Sequence, residues 1–166
     1  MFRPFAYWLS TTPLSSTLQS HPWIVPASQS LHIGGASIVF ASALVINLRL
    51  LGVSRSGRSI SRLTGALMPW IWSGLAVQVT TGILQTIIEP VREFVAPMYW
   101  IKMLLIVVVA ATTALYARAV RRQAARWDEA QTRPAAARIY AVVSTLLWLA
   151  ILACGRLIGY TWNYYA

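Results

Sequence analysis

Three side chains able to carry charge stand inside stretches that are otherwise apolar: His32, Lys102 and Arg156, and Lys102 is the only lysine of the chain. A charge near a bilayer centre costs about 2.5–3.5 kcal/mol on insertion scales, so each of the three needs a partner or a purpose. An imidazole can bind a metal or pass a proton, while an ammonium and a guanidinium hold anions. Hardly any acid occurs in the same stretches to neutralise them. A histidine and two cations without counter-ions make a site that awaits an anionic partner.

The elements that carry these residues are transmembrane helices. The chain has 166 residues, 57% apolar and only 11% charged, whereas a soluble domain keeps roughly a quarter of its residues charged. Four stretches, near residues 30–51, 65–88, 97–118 and 139–161, are long enough to cross a hydrocarbon core of about 30 Å as helices. The net charge of +10 sits in particular places. Arg49, Arg55, Arg58 and Arg62 surround the first connection, and Arg118, Arg121, Arg122, Arg126, Arg133 and Arg138 the third. The second holds only Arg92, against Glu89 and Glu93. This asymmetry puts connections one and three in the cytoplasm of a bacterial-type inner membrane, and the second connection and both termini on the other side. The basic excess is thereby a topology signal, and nucleic acid is not expected as a partner. Residues 1–20 lack the pattern of a signal peptide, and the single Cys154 excludes an internal disulfide and suits helix packing.

Residues 1–29 form an outer-face interfacial segment, and 30–166 the four-helix transmembrane domain. Ser10, Thr11 and Thr12 before Pro13 predict a short helix lying on the outer surface, with its aromatics at headgroup level. The first span opens on small residues, Gly34, Gly35 and Ala36, which let a neighbouring backbone close on His32. In the second, Gly74, Gln78, Thr81 and Gln85 share one face, which should meet other helices, as interhelical glue or as ligand contacts. The fourth ends in Tyr160, Trp162, Tyr164 and Tyr165, an aromatic rim. Short connections make neighbours antiparallel, giving an all-α, up-and-down four-helix transmembrane bundle. No repeat or broken span supports a transporter, and the inner half has few polar groups.

This topology gathers the polar residues. Spans one and three enter from outside and two and four leave toward it, so His32, Lys102 and Arg156 lie at one depth. That depth is about one or two turns below the outer surface, at 5.4 Å per turn. Thr81 and Gln85 reach the same layer. Lys102 and Arg156 could instead snorkel to lipid phosphates, an alternative that explains the short His32 less well. Haem b would satisfy the set, with His32 as a metal ligand and Arg156 and Lys102 bonded to propionates. His21 is a candidate second iron ligand folding back from the outer segment, or else a solvated loop residue. Gln85 completes the cofactor-binding candidates.

Leu31-His32-Ile33, running through an apolar helix to Leu48-Arg49-Leu50, and Trp100-Ile101-Lys102-Met103-Leu104-Leu105 together resemble a known superfamily. It is that of the HemJ-type protoporphyrinogen oxidases and CopD-like four-helix membrane proteins. The resemblance implies haem b and a functional pair of a first-helix histidine with a later-helix lysine, which fall on His32 and on Lys102 as the candidate catalytic residue. Leu51-Gly52-Val53 stands where the oxidases usually carry a further histidine, and methionines at 1, 68, 98 and 103 make no copper relay. The function expected is electron transfer by a haem b inner-membrane redox protein, to or from a quinone or a redox partner. A narrower version is a HemJ-like oxidoreductase in which Lys102 assists proton removal. The alternative is a cofactor-free subunit that anchors or assembles a larger membrane complex or homo-oligomer through its small-residue faces.

Overall fold

The computed structural model describes residues 2–54, 59–122 and 135–161. Arg55, Arg58, Arg126 and Arg133 of the connections, and Trp162, Tyr164 and Tyr165 of the aromatic rim, lie outside them. Among the described residues every regular element is a helix: α1 (Arg3–Ser10), α2 (Pro13–Gln19), α3 (Ile24–Leu51), α4 (Ile60–Ile88), α5 (Pro90–Val95), α6 (Pro97–Arg122) and α7 (Ala135–Thr161). α3, α4, α6 and α7 are long and apolar enough to cross a membrane, so the chain is an all-α, multi-pass membrane protein.

The boundaries follow local chemistry. Prolines stand at the starts of α2, α5 and α6, where a missing N–H costs nothing. Thr12 caps α2, its hydroxyl accepting from the Ser15 N–H, and Ser59 caps α4 through the Arg62 N–H. α3 ends at Gly52, whose φ of 82° is a left-handed conformation that glycine adopts without penalty. The Val53 N–H then turns back to the Leu48 carbonyl at 3.1 Å. The first long helix starts at Ile24, a turn and a half before its apolar stretch, because Pro26 falls in its first turn and is tolerated there.

Within lipid the apolar effect does not drive helices together, so close packing and interhelical bonds must. α3 and α4 meet through paired glycines. A Cβ on Gly74 would lie 2.5 Å from Val39 Cγ2, and one on Gly35 would lie 3.0 Å from Val77 Cγ1. Of the small run expected to permit close approach, Gly35 does so, while Gly34 faces open space. α7 packs on both α3 and α6, whereas α4 and α6 approach sparsely. The long helices thus form a four-sided bundle with α3 and α6 on a diagonal. Its middle is filled by Val39, Ile71, Leu75, Val109, Trp148 and Ile151.

The first residues form two short helices rather than one, and both are fastened to one end of the bundle. Ser15 Oγ donates to the Ile87 carbonyl and Gln19 Nε2 to the Ile88 carbonyl, each at 2.8 Å, which satisfies acceptors left open at the end of α4. Phe2 stacks on Trp100 with ring centroids 4.6 Å apart, and Phe5 meets Phe94 edge-on at 5.5 Å. The opposite half of the bundle is more polar than the sequence suggests. Asn47 Nδ2 donates to Ser144 Oγ and Thr145 Oγ1, Thr64 bonds Tyr116, and Tyr116 stacks on Tyr140 at 4.5 Å. These groups come from four helices, and only folding brings them together.

Candidate functional site

The α4 stripe of Gln78, Thr81 and Gln85 points at α3, as its helical spacing requires. Gln78 Nε2 donates to the His32 carbonyl, Gln85 Nε2 to the Ser28 carbonyl at 3.4 Å, and Thr81 Oγ1 lies 2.7 Å from His32 Nδ1. Thr81 Oγ1 is also 2.6 Å from the Val77 carbonyl. A carbonyl can only accept, so the threonine proton goes there and Oγ1 must accept from Nδ1–H. The proton of the neutral imidazole is thereby assigned to Nδ1, and Nε2 carries the lone pair.

That lone pair faces Lys102 Nζ at 3.4 Å. The two residues come from diagonal helices, which touch nowhere along their backbones, so the side chains alone bridge the bundle. Glycine keeps the space around them free of further side chains. A Cβ on Gly82 would lie 3.7 Å from His32 Cε1, and one on Gly155 would lie 3.8 Å from Lys102 Nζ.

One charged group near Lys102 is absent from the site read from the sequence. Glu93 of α5 lies within electrostatic reach of it. Glu93 is buried and holds Arg92 Nη2 at 3.3 Å, while Arg92 Nη1 makes its shorter bond, 2.7 Å, to Glu89. In the sequence Glu93 is one of several charges in a connection, and only the folding of α5 over the bundle end turns it inward. Cys154, expected to pack within the fourth span, is buried.

Arg156 and His21 are not gathered with the pair. Arg156 follows Gly155, which faces Lys102, so a step of about 100° along the helix carries it onto the exposed flank of α7. There its guanidinium bonds the Tyr160 hydroxyl one turn on and lies 4.7 Å over that ring. The cation is carried toward the helix end on an aromatic partner. His21 is exposed in the turn before α3, its Nδ1 bonded to the Thr17 carbonyl at 2.9 Å and 3.1 Å from Ser20 Oγ. Among the described residues no three of His, Cys, Asp and Glu are grouped to hold a metal ion.

With this geometry in place, comparison with known sequences gives one positive result. The model of DUF6644, described as a family of unknown function, matches residues 8–161. The chain belongs to the DUF6644 family. No curated protein and no solved structure matches it. The match runs from within α1 to the end of α7, so α2 and the positions of His32 and Lys102 lie inside the matched segment.

Proposed function

We propose that this DUF6644 protein is a redox protein of the membrane whose working site is the His32–Lys102 pair, with haem b held by His32. The observation that carries the proposal is the contact itself: Lys102 Nζ stands 3.4 Å from His32 Nε2. These are the two residues that the HemJ-type resemblance pairs, and they are widely separated in sequence.

The residues fit an iron-bound porphyrin in two respects and restrict it in a third. The bond from Nδ1–H to Thr81 fixes the tautomer and ring orientation that a ligating imidazole needs. Gly82 and Gly155 place no side chain at the imidazole edge or the ammonium, where a methyl would already make contact. Lys102, however, already occupies the direction of the Nε2 lone pair, so it must turn aside and become a donor to a propionate or other anion. Arg156 and His21 lie elsewhere, so the described residues offer a single ligand and one cation.

A bound haem would supply one-electron chemistry at a potential set by its ligand and surroundings. The chain's own part is to orient His32 through Thr81, to hold anionic charge on Lys102, and to keep water away with the apolar middle of the bundle. The arginine distribution favours an outer-leaflet position for the pair in a bacterial-type inner membrane. The same contact favours the narrower version, an oxidase in which Lys102 exchanges a proton with a porphyrin-like substrate beside His32.

The test is an absorption spectrum of the detergent-purified protein, oxidised and then reduced, after expression with ample haem. A Soret band with reducible α and β bands is the expected result. A colourless protein would instead favour a cofactor-free anchoring subunit, in which the His32–Lys102 bond serves only to join α3 and α6.

A further inference from the structure

A cleft of about 380 Å³ lies where the short helices α1 and α2 meet the end of the bundle. One wall is made by the break between α4 and α5. The residue before a proline is driven out of the helical region, and Glu89, before Pro90, has φ −127° and ψ 58°. Arg92 follows about one turn into α5, and its Nη1 closes on Glu89 Oε2 at 2.7 Å. Both side chains line the cleft and keep part of their surface open, 32% for Glu89 and 21% for Arg92.

Ser10 at the end of α1 and Gln19 at the end of α2 add polar groups to the lining, and Val25 and Val91 add apolar wall. Ser10 Oγ donates to the Tyr7 carbonyl at 2.7 Å, and Gln19 Nε2 donates to Ser15 Oγ at 3.0 Å and to the Ile88 carbonyl at 2.8 Å. With their protons committed, Ser10 and Gln19 offer a ligand only acceptor oxygen. Arg92 offers the reverse. Its Nη atoms face Glu89 and Glu93, while its buried Nε has no acceptor among the described residues.

Such a lining suits a molecule that carries an N–H cation beside an anion and continues into apolar chain. The charges narrow the choice. Within the cleft Glu89 cancels Arg92, and Glu93 is not part of the lining and lies within electrostatic reach of Lys102, which offsets it. A headgroup of net negative charge therefore gains no net attraction. A quaternary ammonium has no N–H to give to Glu89, Ser10 and Gln19. The cleft also stands beside the ends of the membrane-crossing helices α3 and α4, the level of lipid headgroups.

We infer that this cleft binds phosphatidylethanolamine, with its ammonium on Glu89, Ser10 and Gln19, its phosphate on Arg92, and the start of its acyl chains against Val25 and Val91. The inference does not depend on what His32 binds.

The full chain in maltoside detergent is titrated with dioleoyl lipids bearing ethanolamine, choline or glycerol headgroups, and bound lipid is counted by native mass spectrometry. Saturable binding of phosphatidylethanolamine is expected, at least about threefold tighter than that of either rival. Glu89→Gln removes the ammonium's partner and frees Arg92, so affinity for phosphatidylethanolamine should fall about tenfold while that for phosphatidylglycerol rises. If Glu89→Gln loses helical content by circular dichroism, Val91→Trp fills the cleft from its apolar wall and should abolish the tight binding. Equal binding of the three lipids, or parental preference in the folded variants, would mean ordinary surrounding lipid only and overturn the site. Soluble phosphoethanolamine supplies the headgroup without the chains. Weaker binding than the lipid's supports the inference, and equal affinity would make the ligand a water-soluble one and overturn the assignment to lipid.

Discussion

His32 and Lys102 stand on diagonally opposed helices, yet Nε2 and Nζ are 3.4 Å apart, and the imidazole is held from behind by Thr81 at 2.7 Å. A proton on Nδ1 and a lone pair on Nε2 follow from the bond that Thr81 makes to the Val77 carbonyl. The same imidazole is thereby prepared either to ligate iron or to accept from the lysine.

Thr81→Val keeps the side chain's shape and removes the acceptor for Nδ1–H. Loss of such a supporting bond to a ligating histidine typically weakens binding of the bound group about 10–100-fold. Haem retention through a desalting column should fall accordingly in Thr81→Val and return in Thr81→Ser. Equal retention in all three proteins would show that Thr81 does not orient a ligand.

Arg156 and Lys102, alike in a one-dimensional reading, should behave differently. Arg156 is paired with Tyr160 on the exposed flank, so Arg156→Leu should leave the visible spectrum unchanged. Lys102→Leu should shift the reduction potential, because it removes a positive charge from a low-dielectric site. Lys102→Arg should restore the potential only in part, since a guanidinium fork does not occupy the place of a point-charge ammonium. Redox titration of the three variants decides the matter, and a spectral change in Arg156→Leu alone would reverse the assignment.

What the sequence disclosed, and what it did not, has a physical pattern. Span number, the helical stripe of α4 and the depth of His32 and Lys102 follow from length, periodicity and charge, which are properties of one helix at a time. The inward turn of Glu93, the departure of Arg156 to Tyr160 and the polar layer around Asn47 depend on rotation and on which helices are neighbours. Those are set by Gly35 against Gly74 and by the docking of α1 and α2, contacts between distant segments. Gly34 and Gly35 look equivalent in sequence, and only one of them meets a neighbour.

That difference can be measured. Gly74→Ala would put a methyl 2.5 Å from Val39 Cγ2 and 3.2 Å from the Gly35 carbonyl, with backbone on one side that cannot yield. Overpacking of this kind costs about 1–3 kcal/mol. Thermal unfolding in detergent should show a clear drop in Tm for Gly74→Ala and none for Gly34→Ala, whose Cβ would meet nothing within 4 Å. Matching Tm values would mean that α3 and α4 are less tightly joined than their glycines indicate.

Membrane orientation is open to a separate check. Reporters fused after Ser56 and after Gln131 should read as cytoplasmic, and one after Glu93 should not, because arginines concentrate beside the first and third connections. A non-cytoplasmic signal after Ser56 would move the His32–Lys102 layer to the other leaflet.

The most direct measurement compares oxidised and reduced absorption spectra of the purified parent, His32→Ala and His21→Ala, each checked for membrane insertion. Ligation through His32 predicts a reducible Soret band in the parent, its loss or gross alteration in His32→Ala, and a parental spectrum in His21→Ala, whose imidazole is bonded within its own turn. An unaltered spectrum in His32→Ala would contradict the assignment of His32 as the haem ligand.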